Sequence, residues 1–475
     1  MTTRHGQLEM RGINAPQSRF HEQGRFGRLF PNLPPLPGNL EHLRAAMREI
    51  GKDDGLMEPK TTPENLDNPA IPAGFTFFGQ FVDHDITFDP TSSLEQQADP
   101  EAIQNFRTPL LELDSVYGAG PAANPHLYDS RPNMRGKLLI DEDFPHDLPR
   151  NSQGIALIGD PRNDENNIVS QIQHAFLMFH NAAIDFVAAD GQTPPSEIFN
   201  EAQRLVRWHY QWIVVHEFLP LICGQSVVED VLENGRCFYN WRNDPFIPVE
   251  FAVAAYRFGH TQVRPGYRLN AGFAGPIFAE PGSSVDLSGG KRLPVERKIE
   301  FHRFFDTGTG PATERQQSKR IDTLLSPPLF RLPFIPPPDN SLAGRNLLRH
   351  LTFNLPSGQA VARAMSVGKA YKKIKLKDVE PLPPSAFKDL KNIGTGLNLD
   401  QHTPLWFYIL READKRADGK SLGPMGGRIV AEVFIGLLDG DRLSYRRADP
   451  QWKPIFGTNS GEFKMADLLK FAKLV

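Results

Sequence analysis

Residues 77–85 place an imidazole and two carboxylates among aromatic side chains, a combination able to move protons or hold a metal. If this segment is helical, Gln80 and His84 lie one turn apart on one face. Asp83 and Asp85 then point about 100° to either side of His84. Because burial of unpaired carboxylates is costly, the cluster either meets a cofactor or metal or lies at the surface. A non-haem metal hydrolase using His84 with the two aspartates is one chemistry that fits.

A second segment, 159–165, has the sequence Gly-Asp-Pro-Arg-Asn-Asp-Glu and precedes a strong helical pattern. Pro161 and the capping residues around it fix Arg162 at the entrance of that helix, where a guanidinium can be aimed at a substrate. The alternative is a surface ion pair of Arg162 with Asp160 or Glu165, which would contribute little.

A third segment, Tyr-Arg-Phe-Gly-His, ends at His260 within an apolar stretch that begins at residue 251. Arg257 and His260 are spaced i, i+3 and share a helix face, and Gly259 leaves room for a planar group to approach. The alternative is a hydrogen-bonded core histidine without a ligand role.

Helical periodicity dominates the elements that must position these residues. Apolar residues recur with a period of about 3.6 from Ile168 to Val187, after the capping residues Asn163, Asp164 and Asn166. A second long helix is predicted from Ser196 to Leu219 and is expected to stop at Pro220. Further helices are predicted near 40–50, 251–263, 344–365, 403–417 and 426–438. Strand signals are few and short, so we predict a mostly α fold.

The domain organisation follows from proline and apolar content. Residues 1–40 are predicted to form an extended N-terminal arm, and residues 41–475 one large catalytic domain. The proline-rich stretch 326–339 is rich in Leu and Phe, which favours a packed connection over a free linker.

Composition excludes several partners and compartments. The formal net charge is -3 and the pI is about 6.5, and the densest basic run, 369–377, alternates with apolar residues, so no nucleic acid is expected. No window approaches the roughly 20 apolar residues of a membrane span. The polar first 19 residues and the two cysteines, Cys223 and Cys237, predict a cytoplasmic protein without disulfides. Export without a signal and packaging in a host compartment stay open, as does the oligomeric state.

Together the motifs resemble one family. Phe-Gly-Gln-Phe-Val-Asp-His-Asp, Gly-Asp-Pro-Arg-Asn-Asp-Glu, Tyr-Arg-Phe-Gly-His and the Arg-Asn-Leu-Leu-Arg of 345–349 occur in the order found in animal-type haem peroxidases of the peroxidase–cyclooxygenase superfamily. The segments 113–118, 179–181, 218–221 and 426–430 agree as well, and the resemblance runs from about residue 25 to the end. The chain is similar to a compact bacterial branch. The resemblance implies a helical core around haem b and an oxidoreductase that reduces hydrogen peroxide.

On one side of the haem, the resemblance implies that His260 ligates the iron through Nε2. Asn346 resembles the asparagine whose oxygen accepts the proton of the other ring nitrogen, which fixes the tautomer. Arg257 resembles the residue that pairs with a haem propionate.

On the other side, His84 resembles the base that moves a proton between the two oxygens of the peroxide. Arg162 is similar to the arginine that stabilises the negative charge on the departing oxygen. Gln80 resembles a glutamine that orders water or halide.

Two carboxylates match those that become ester-linked to haem in mammalian relatives, namely Asp83 and Glu165. We therefore carry covalent attachment as a hypothesis. Asn166 stands where one mammalian member has a methionine bonded to the haem, which favours iodide, bromide, thiocyanate or phenols over chloride as electron donors.

A calcium site is also implied by the resemblance. Its ligands would be Asp85, Thr108, the carbonyl of Leu110, Glu112 and Asp114. Alternate residues of an extended loop face one side, and oxygen ligands suit a hard cation. Glu112 stands where relatives often have aspartate, and an acidic surface turn is the alternative.

Two further functions share the scaffold. A fatty-acid dioxygenase or cyclooxygenase would place a radical-forming tyrosine three residues before His260, where this chain has Arg257; Tyr256 lies one residue further away. A degenerate binding or adhesion protein is expected to have lost at least one of His84, Arg162 and His260, and all three are present.

Overall fold

The chain folds into a mostly helical structure, which confirms the predicted fold class. The computed structural model describes residues 26–61, 66–87, 108–241, 244–279, 285–367 and 379–475. The first 25 residues of the predicted arm and the basic run 369–377 lie outside these ranges. The α-helices are Leu40–Gly51, Gly74–Ile86, Asp114–Tyr117, Asn167–Ala189, Ile198–Ile213, Leu219–Cys223, Gln225–Asn234, Leu342–Thr352, Gly358–Ser366, Leu405–Ala417, Pro424–Gly440, Tyr445–Ala448 and Met465–Phe471.

Shorter elements connect these helices. Within the described ranges, two small antiparallel sheets pair Asp67–Pro72 with Gln317–Lys319 and Gly266–Arg268 with Ala274–Pro276. The 3₁₀-helices are Pro125–Leu127, Pro132–Met134, Pro161–Asp164, Ala255–Gln262, Val295–Arg297, Phe301–Arg303, Ala312–Glu314, Pro327–Phe330 and Pro384–Leu390. The π-helical turns are Val214–Phe218 and Glu250–Ala254.

The helix Asn167–Ala189 forms where the periodicity predicts it. The Asn166 side chain accepts hydrogen bonds from the backbone N–H groups of Ile168 and Val169, which satisfies two donors of the first turn. Most of the first three turns are buried, and the helix packs against Ile198–Ile213. This buried entrance holds the preceding segment, which carries Arg162, against the core.

The prediction that the second long helix stops at Pro220 is wrong. The chain passes from Ile198–Ile213 through the π-helical turn Val214–Phe218 into Leu219–Cys223, with Pro220 in the first turn of that last segment. Proline lacks an N–H, and the first turn of a new helical segment does not require one. The wider π turn therefore lets the helical path continue to Cys223.

The predicted helix 251–263 differs in its internal geometry. The π-helical turn Glu250–Ala254 is followed directly by the 3₁₀-helix Ala255–Gln262, and the last residue of the turn, Ala254, has non-helical angles of φ -126° and ψ -70°. In a 3₁₀-helix, residues i and i+3 eclipse one another. Arg257 and His260 therefore lie directly along one edge of this element.

The predicted helix 344–365 is divided in two. Leu342–Thr352 ends before Asn354, whose φ is +48°, and Pro356 disfavours helical geometry in the residue before it. The Ser357 side chain then accepts a hydrogen bond from the N–H of Ala360 and caps Gly358–Ser366.

A continuous apolar core links the described segments. The proline-rich connection belongs to it, since Leu329, Phe330, Leu332 and Ile335 are all buried. Among the described residues, no helix combines the length and apolar character that crossing a bilayer requires.

Candidate functional site

One cavity of about 680 Å³ collects residues from four distant segments of the chain. This volume lies within the range of small-molecule and cofactor sites. Its walls come from Gly74–Ile86, Pro161–Asp164, Ala255–Gln262 and Leu342–Thr352. The site residues predicted from sequence that line it are Gln80, Asp83, His84, Arg162, Glu165, Arg257, His260 and Asn346.

A buried chain of hydrogen bonds orients His84. Asn163 donates through Nδ2 to Gln173 Oε1 at 2.8 Å, so its Oδ1 faces His84 Nδ1 at 2.7 Å. Gln173 in turn donates to the carbonyl of Ser115. An oxygen acceptor at Nδ1 requires the ring hydrogen there, which makes Nε2 the basic nitrogen of the neutral imidazole.

Arg162 forms an ion pair with Asp160, and both side chains are buried, so the pair is not the surface ion pair considered as an alternative. Asp160 accepts from the Arg162 side chain through both carboxylate oxygens, at 3.1 Å and 2.8 Å, and from its backbone N–H at 3.0 Å. Arg162 Nη2 also donates to the carbonyls of His84 and Thr87. The opposing charges of Asp160 and Asp83 outweigh burial and raise the pKa of Arg162, which stays cationic beside His84.

The amide of Gln80 is held between two side chains from the segment after Arg162. Gln80 Nε2 donates to Glu165 Oε2 at 3.1 Å, and Asn166 Nδ2 donates to Gln80 Oε1 at the same distance. Burial raises the pKa of Asp83, while the charges of Arg162 and Arg257 act in the opposite direction. The two carboxylates predicted to bond haem therefore share the cavity with a fixed amide.

His260 contacts Asn346 through the ring nitrogen that the sequence predicts. Asn346 Nδ2 lies 2.7 Å from His260 Nδ1, while Arg257 Nη1 donates to Asn346 Oδ1 at 3.4 Å. The amide orientation differs from the expected one, because an arginine offers only donors and draws the amide oxygen toward itself. Burial, with the nearby charges of Arg257 and Arg349, lowers the pKa of His260 to about 3, so the imidazole is neutral.

Space beside His260 matches the close approach predicted at Gly259. A Cβ atom built on Gly259 would meet no other heavy atom within 4 Å, and the residue lines the cavity. Gly290 also lines the cavity and likewise leaves open space. Backbone therefore borders the cavity here without side chains to fill it.

The predicted calcium ligands lie outside this cavity. Asp85 Oδ2 accepts hydrogen bonds from Leu113 N at 3.1 Å and from the hydroxyl of Tyr210 at 3.2 Å. Burial, and then repulsion from Asp114 and Asp85, raises the pKa of Glu112 to about 8. The three carboxylates are thus close enough to repel one another, and Asp85 does not join Asp83 and His84 in a common metal site.

Thr108 and Leu110 lie on the same loop, where Leu110 N donates to the carbonyl of Thr108 at 2.8 Å. Across the part of the chain that the structure describes, the one group of three His, Asp or Glu ligand atoms within 4.8 Å is Glu300, His302 and Glu314. Arg303 forms ion pairs with both of these glutamates, at 2.6 Å and 2.7 Å, and offsets one of the two negative charges of the group.

Three residues at or beside the cavity have no role predicted from the sequence, namely Asn163, Arg345 and Arg349. Asn163 was interpreted only as a helix cap, although its place directly after Arg162 in the motif is a signal that it shares the same site. Arg345 and Arg349 flank Asn346 and line the cavity with it. Their spacing on either side of Asn346, at i-1 and i+3, is a recognisable signal for a cationic helix face.

Tyr256 also lines the cavity, and its hydroxyl donates to the carbonyl of Gly79 at 3.0 Å. Burial raises the pKa of this phenol. Its ring stacks on Phe251 at a centroid distance of 4.9 Å. The phenol is therefore a packed part of the wall.

The comparisons agree with the motifs. Eosinophil peroxidase of Homo sapiens is 25% identical over 367 residues, which cover 72% of this chain and 49% of that protein. The chain spans about half, or less, of the length of the curated relatives it matches first.

Two solved structures share the fold. Peroxidase A from Dictyostelium discoideum has a TM-score of 0.61 at 16% identity, covering 95% of this chain and 92% of that one. A fatty acid alpha-dioxygenase from Oryza sativa has a TM-score of 0.57 at 15% identity, covering 95% of this chain and 79% of that one.

A family model described as animal haem peroxidase matches residues 95–456, which is most of the sequence, and this chain belongs to that family.

Proposed function

We propose that this protein is a haem-dependent peroxidase that reduces hydrogen peroxide with electrons from small donors such as iodide, bromide, thiocyanate or phenols. The observation that carries the proposal is that His84, Arg162 and His260, from three separate segments, line one cavity. A non-catalytic descendant of the family has no reason to keep two imidazoles and a guanidinium together.

The residues of the cavity fit haem. His260 offers a neutral imidazole as the iron ligand, and the open space at Gly259 accommodates a planar ring beside it. Arg257, Arg345 and Arg349 supply positive charge for the two propionates. When bound, haem supplies the redox chemistry, and the protein supplies proton transfer and orientation.

Proton transfer is the role of His84. Its Nε2 would accept a proton from one oxygen of the peroxide and return it to the other, which would leave as water. Asn163 keeps the ring hydrogen on Nδ1 throughout, so Nε2 is basic when the peroxide arrives.

Charge stabilisation is the role of Arg162. Negative charge develops on the departing oxygen, and a fixed cation in a water-poor cavity stabilises it strongly. The bonds of Arg162 to Asp160 and to the carbonyl of His84 orient the guanidinium in advance. Gln80 is fixed by Glu165 and Asn166 and orders water or halide in the same space.

Coordination through Nε2 of His260 requires the ring hydrogen on Nδ1 and an acceptor beside it. Asn346 provides that acceptor once its amide turns Oδ1 toward the ring. A propionate that draws the Arg257 guanidinium away would release Oδ1 for this turn, which couples haem binding to the tautomer of His260.

Two finer features belong to this proposal. Asp83 and Glu165 share the cavity, which supports ester bonds to haem. Calcium held by Asp85, Thr108, Leu110, Glu112 and Asp114 would relieve the repulsion that raises the pKa of Glu112.

The absorption spectrum of protein produced with haem, before and after addition of peroxide, tests the proposal. We expect His260→Ala to lose haem, and His84→Ala to retain haem but react with peroxide about 10²- to 10⁴-fold more slowly. His302→Ala is the matched control, because this imidazole lies outside the cavity. A His84→Ala variant that reacts at the wild-type rate would remove the role assigned to His84.

A dioxygenase activity is disfavoured by the wall of the cavity. The residue three positions before His260 is Arg257, and the hydroxyl of Tyr256 is hydrogen-bonded to Gly79. Oxygen uptake with linoleate or arachidonate separates the two functions. A dioxygenase should consume oxygen with these fatty acids as fast as it oxidises iodide or faster, and a peroxidase should consume it far more slowly.

A further inference from the structure

We propose that an aromatic cluster on the protein surface, formed by Trp208, Trp212, Tyr445 and Trp452 with His216, is a second electron-donor site. There, phenols carried on molecules too large to enter the cavity are oxidised one electron at a time. The inference rests on the proposed peroxidase function, because peroxide supplies the oxidising equivalents.

The cluster is tightly packed. The ring centroids of Trp208 and Trp212 lie 5.3 Å and 6.0 Å from that of Trp452, and Tyr445 lies 5.6 Å from Trp212. His216 stacks on Trp212 with centroids 3.9 Å apart. Three of the five tryptophans of the chain are thus joined to a tyrosine through a connected series of ring contacts.

The cluster also reaches solvent. His216 is exposed and Trp452 is partly exposed, while Trp208, Trp212 and Tyr445 are buried beneath them. A large donor therefore meets an imidazole and an indole edge at the surface, with three further oxidisable rings directly behind.

One continuous helical path connects this cluster to the cavity. Phe218, which lines the cavity, ends the π-helical turn that contains His216. At 1.5 Å per residue, Trp212 lies about 9 Å from Phe218 along the axis. Phe218 also contacts Tyr256, another residue of the wall, at a centroid distance of 6.5 Å. An electron from the cluster crosses one helical segment to reach the cavity.

A base stands beside the one phenol of the cluster. The Tyr445 hydroxyl lies 3.1 Å from His216 Nε2. A neutral His216 accepts the phenolic proton through Nε2. A phenol loses its electron most readily when its proton is accepted at the same moment.

Neighbouring cations make Tyr445 the favoured site of oxidation within the cluster. Lys453 Nζ lies 5.1 Å from the ring centroid of Trp212, and Arg204 Cζ lies 4.2 Å from that of Trp208. A cation over an indole opposes removal of an electron from that ring. The Tyr445 ring becomes a neutral radical, because its proton and the positive charge pass to His216, whose side chain is exposed to solvent.

The reaction balances with two donors for each peroxide. Tyr445 loses one electron to the oxidised cofactor and its phenolic proton to Nε2 of His216. A donor phenol then returns an electron to Tyr445 and releases its own proton to solvent, and His216 returns the first proton. Two such cycles give two phenoxyl radicals, and the peroxide takes up two electrons and two protons to form two waters.

Free tyramine and tyramine attached to dextran carry the same phenol at two sizes and test the inference in the haem-loaded protein. We expect Tyr445→Phe and Trp452→Phe to oxidise tyramine–dextran at least about tenfold more slowly, with iodide oxidation and the Soret band unchanged. Trp241→Phe is the matched control, because Trp241 stacks on Arg236 outside the cluster. After peroxide addition without donor, the tyrosyl radical signal in electron paramagnetic resonance should be lost in Tyr445→Phe alone.

Equal tyramine–dextran oxidation by wild type and both cluster variants would overturn the inference. So would a wild-type protein that oxidises iodide but not tyramine–dextran, and that result would leave the proposed peroxidase function intact. Failure to oxidise iodide as well would overturn both.

Discussion

Replacement of Asn163 by leucine isolates the role of the hydrogen bond behind His84. Asn163 is fully buried, and its Oδ1 is 2.7 Å from His84 Nδ1. Leucine has the same branching at Cγ, is larger, and offers neither an acceptor nor a donor. The variant keeps the base in the cavity and removes both the acceptor that fixes its tautomer and the donor to Gln173.

The magnitude follows from the cost of a buried donor without a partner, about 1–3 kcal/mol. The imidazole avoids this cost by moving its hydrogen to Nε2, and in that tautomer it cannot take the proton of the peroxide. Since about 1.4 kcal/mol corresponds to a factor of ten, we expect the rate of reaction with peroxide to fall about 5- to 150-fold.

Stopped-flow absorption of the haem-loaded protein measures the second-order rate constant with peroxide directly. Asn163→Asp is the matched control, because a carboxylate keeps the acceptor and should preserve the rate. A wild-type rate in Asn163→Leu, with haem content and Soret band unchanged, would refute the tautomer argument.

Four other expectations can be checked with simple assays. If ester bonds form, acid–acetone should extract more haem from Asp83→Asn or Glu165→Gln than from wild type; complete extraction from wild type would exclude the bonds. Asp85→Asn should weaken calcium binding about tenfold or more by isothermal titration, and no bound calcium in wild type would contradict the site. Arg428→Met should lower the free energy of unfolding in urea by about 3–5 kcal/mol, because Asp230 and Glu432 lose a buried cation, and a loss below about 1 kcal/mol would contradict this. Burial raises the pKa of Glu217 from 4.5 to about 7, so the folded state binds the carboxyl proton more tightly than the unfolded state does. The free energy of unfolding should therefore fall by at most about 3 kcal/mol as the pH rises from 4.5 to 7. Glu217→Gln should reduce this dependence of stability on pH.

Local patterns in the sequence were enough to predict the main helices, whereas the chemistry expected of the site came from the family resemblance. The cap at Asn166 and the apolar period after it correctly predict the helix Asn167–Ala189. Local signals failed at Pro220, which predicts the end of a helix. The helical path continues there, because the preceding π turn places Pro220 in the first turn of a new segment, where no N–H is required. The break near Asn354, which divides another predicted helix, did have a local signal in Asn354 and Pro356, but the apolar pattern on either side favoured one continuous helix.

Periodicity alone also set the directions of neighbouring side chains. The prediction that Asp83 and Asp85 diverge from His84 follows from helix geometry, and the structure directs Asp83 to the cavity and Asp85 to Leu113 and Tyr210. Helix geometry could not predict which residues Asp83 and Asp85 would contact.

What the sequence by itself determined is therefore the identity, order and local orientation of the reactive groups, because these depend on neighbours within one or two helical turns. Tertiary structure alone decided that Asn163, which lies 79 positions after His84 in the sequence, contacts the His84 ring. The contact of His260 with Asn346 was expected from the family resemblance, and no local pattern predicts it. Tertiary structure also decided that the Asn346 amide turns its oxygen to Arg257. Contacts of this kind depend on how whole helices pack against one another, and the periodicity of one segment records which face is buried but not what buries it.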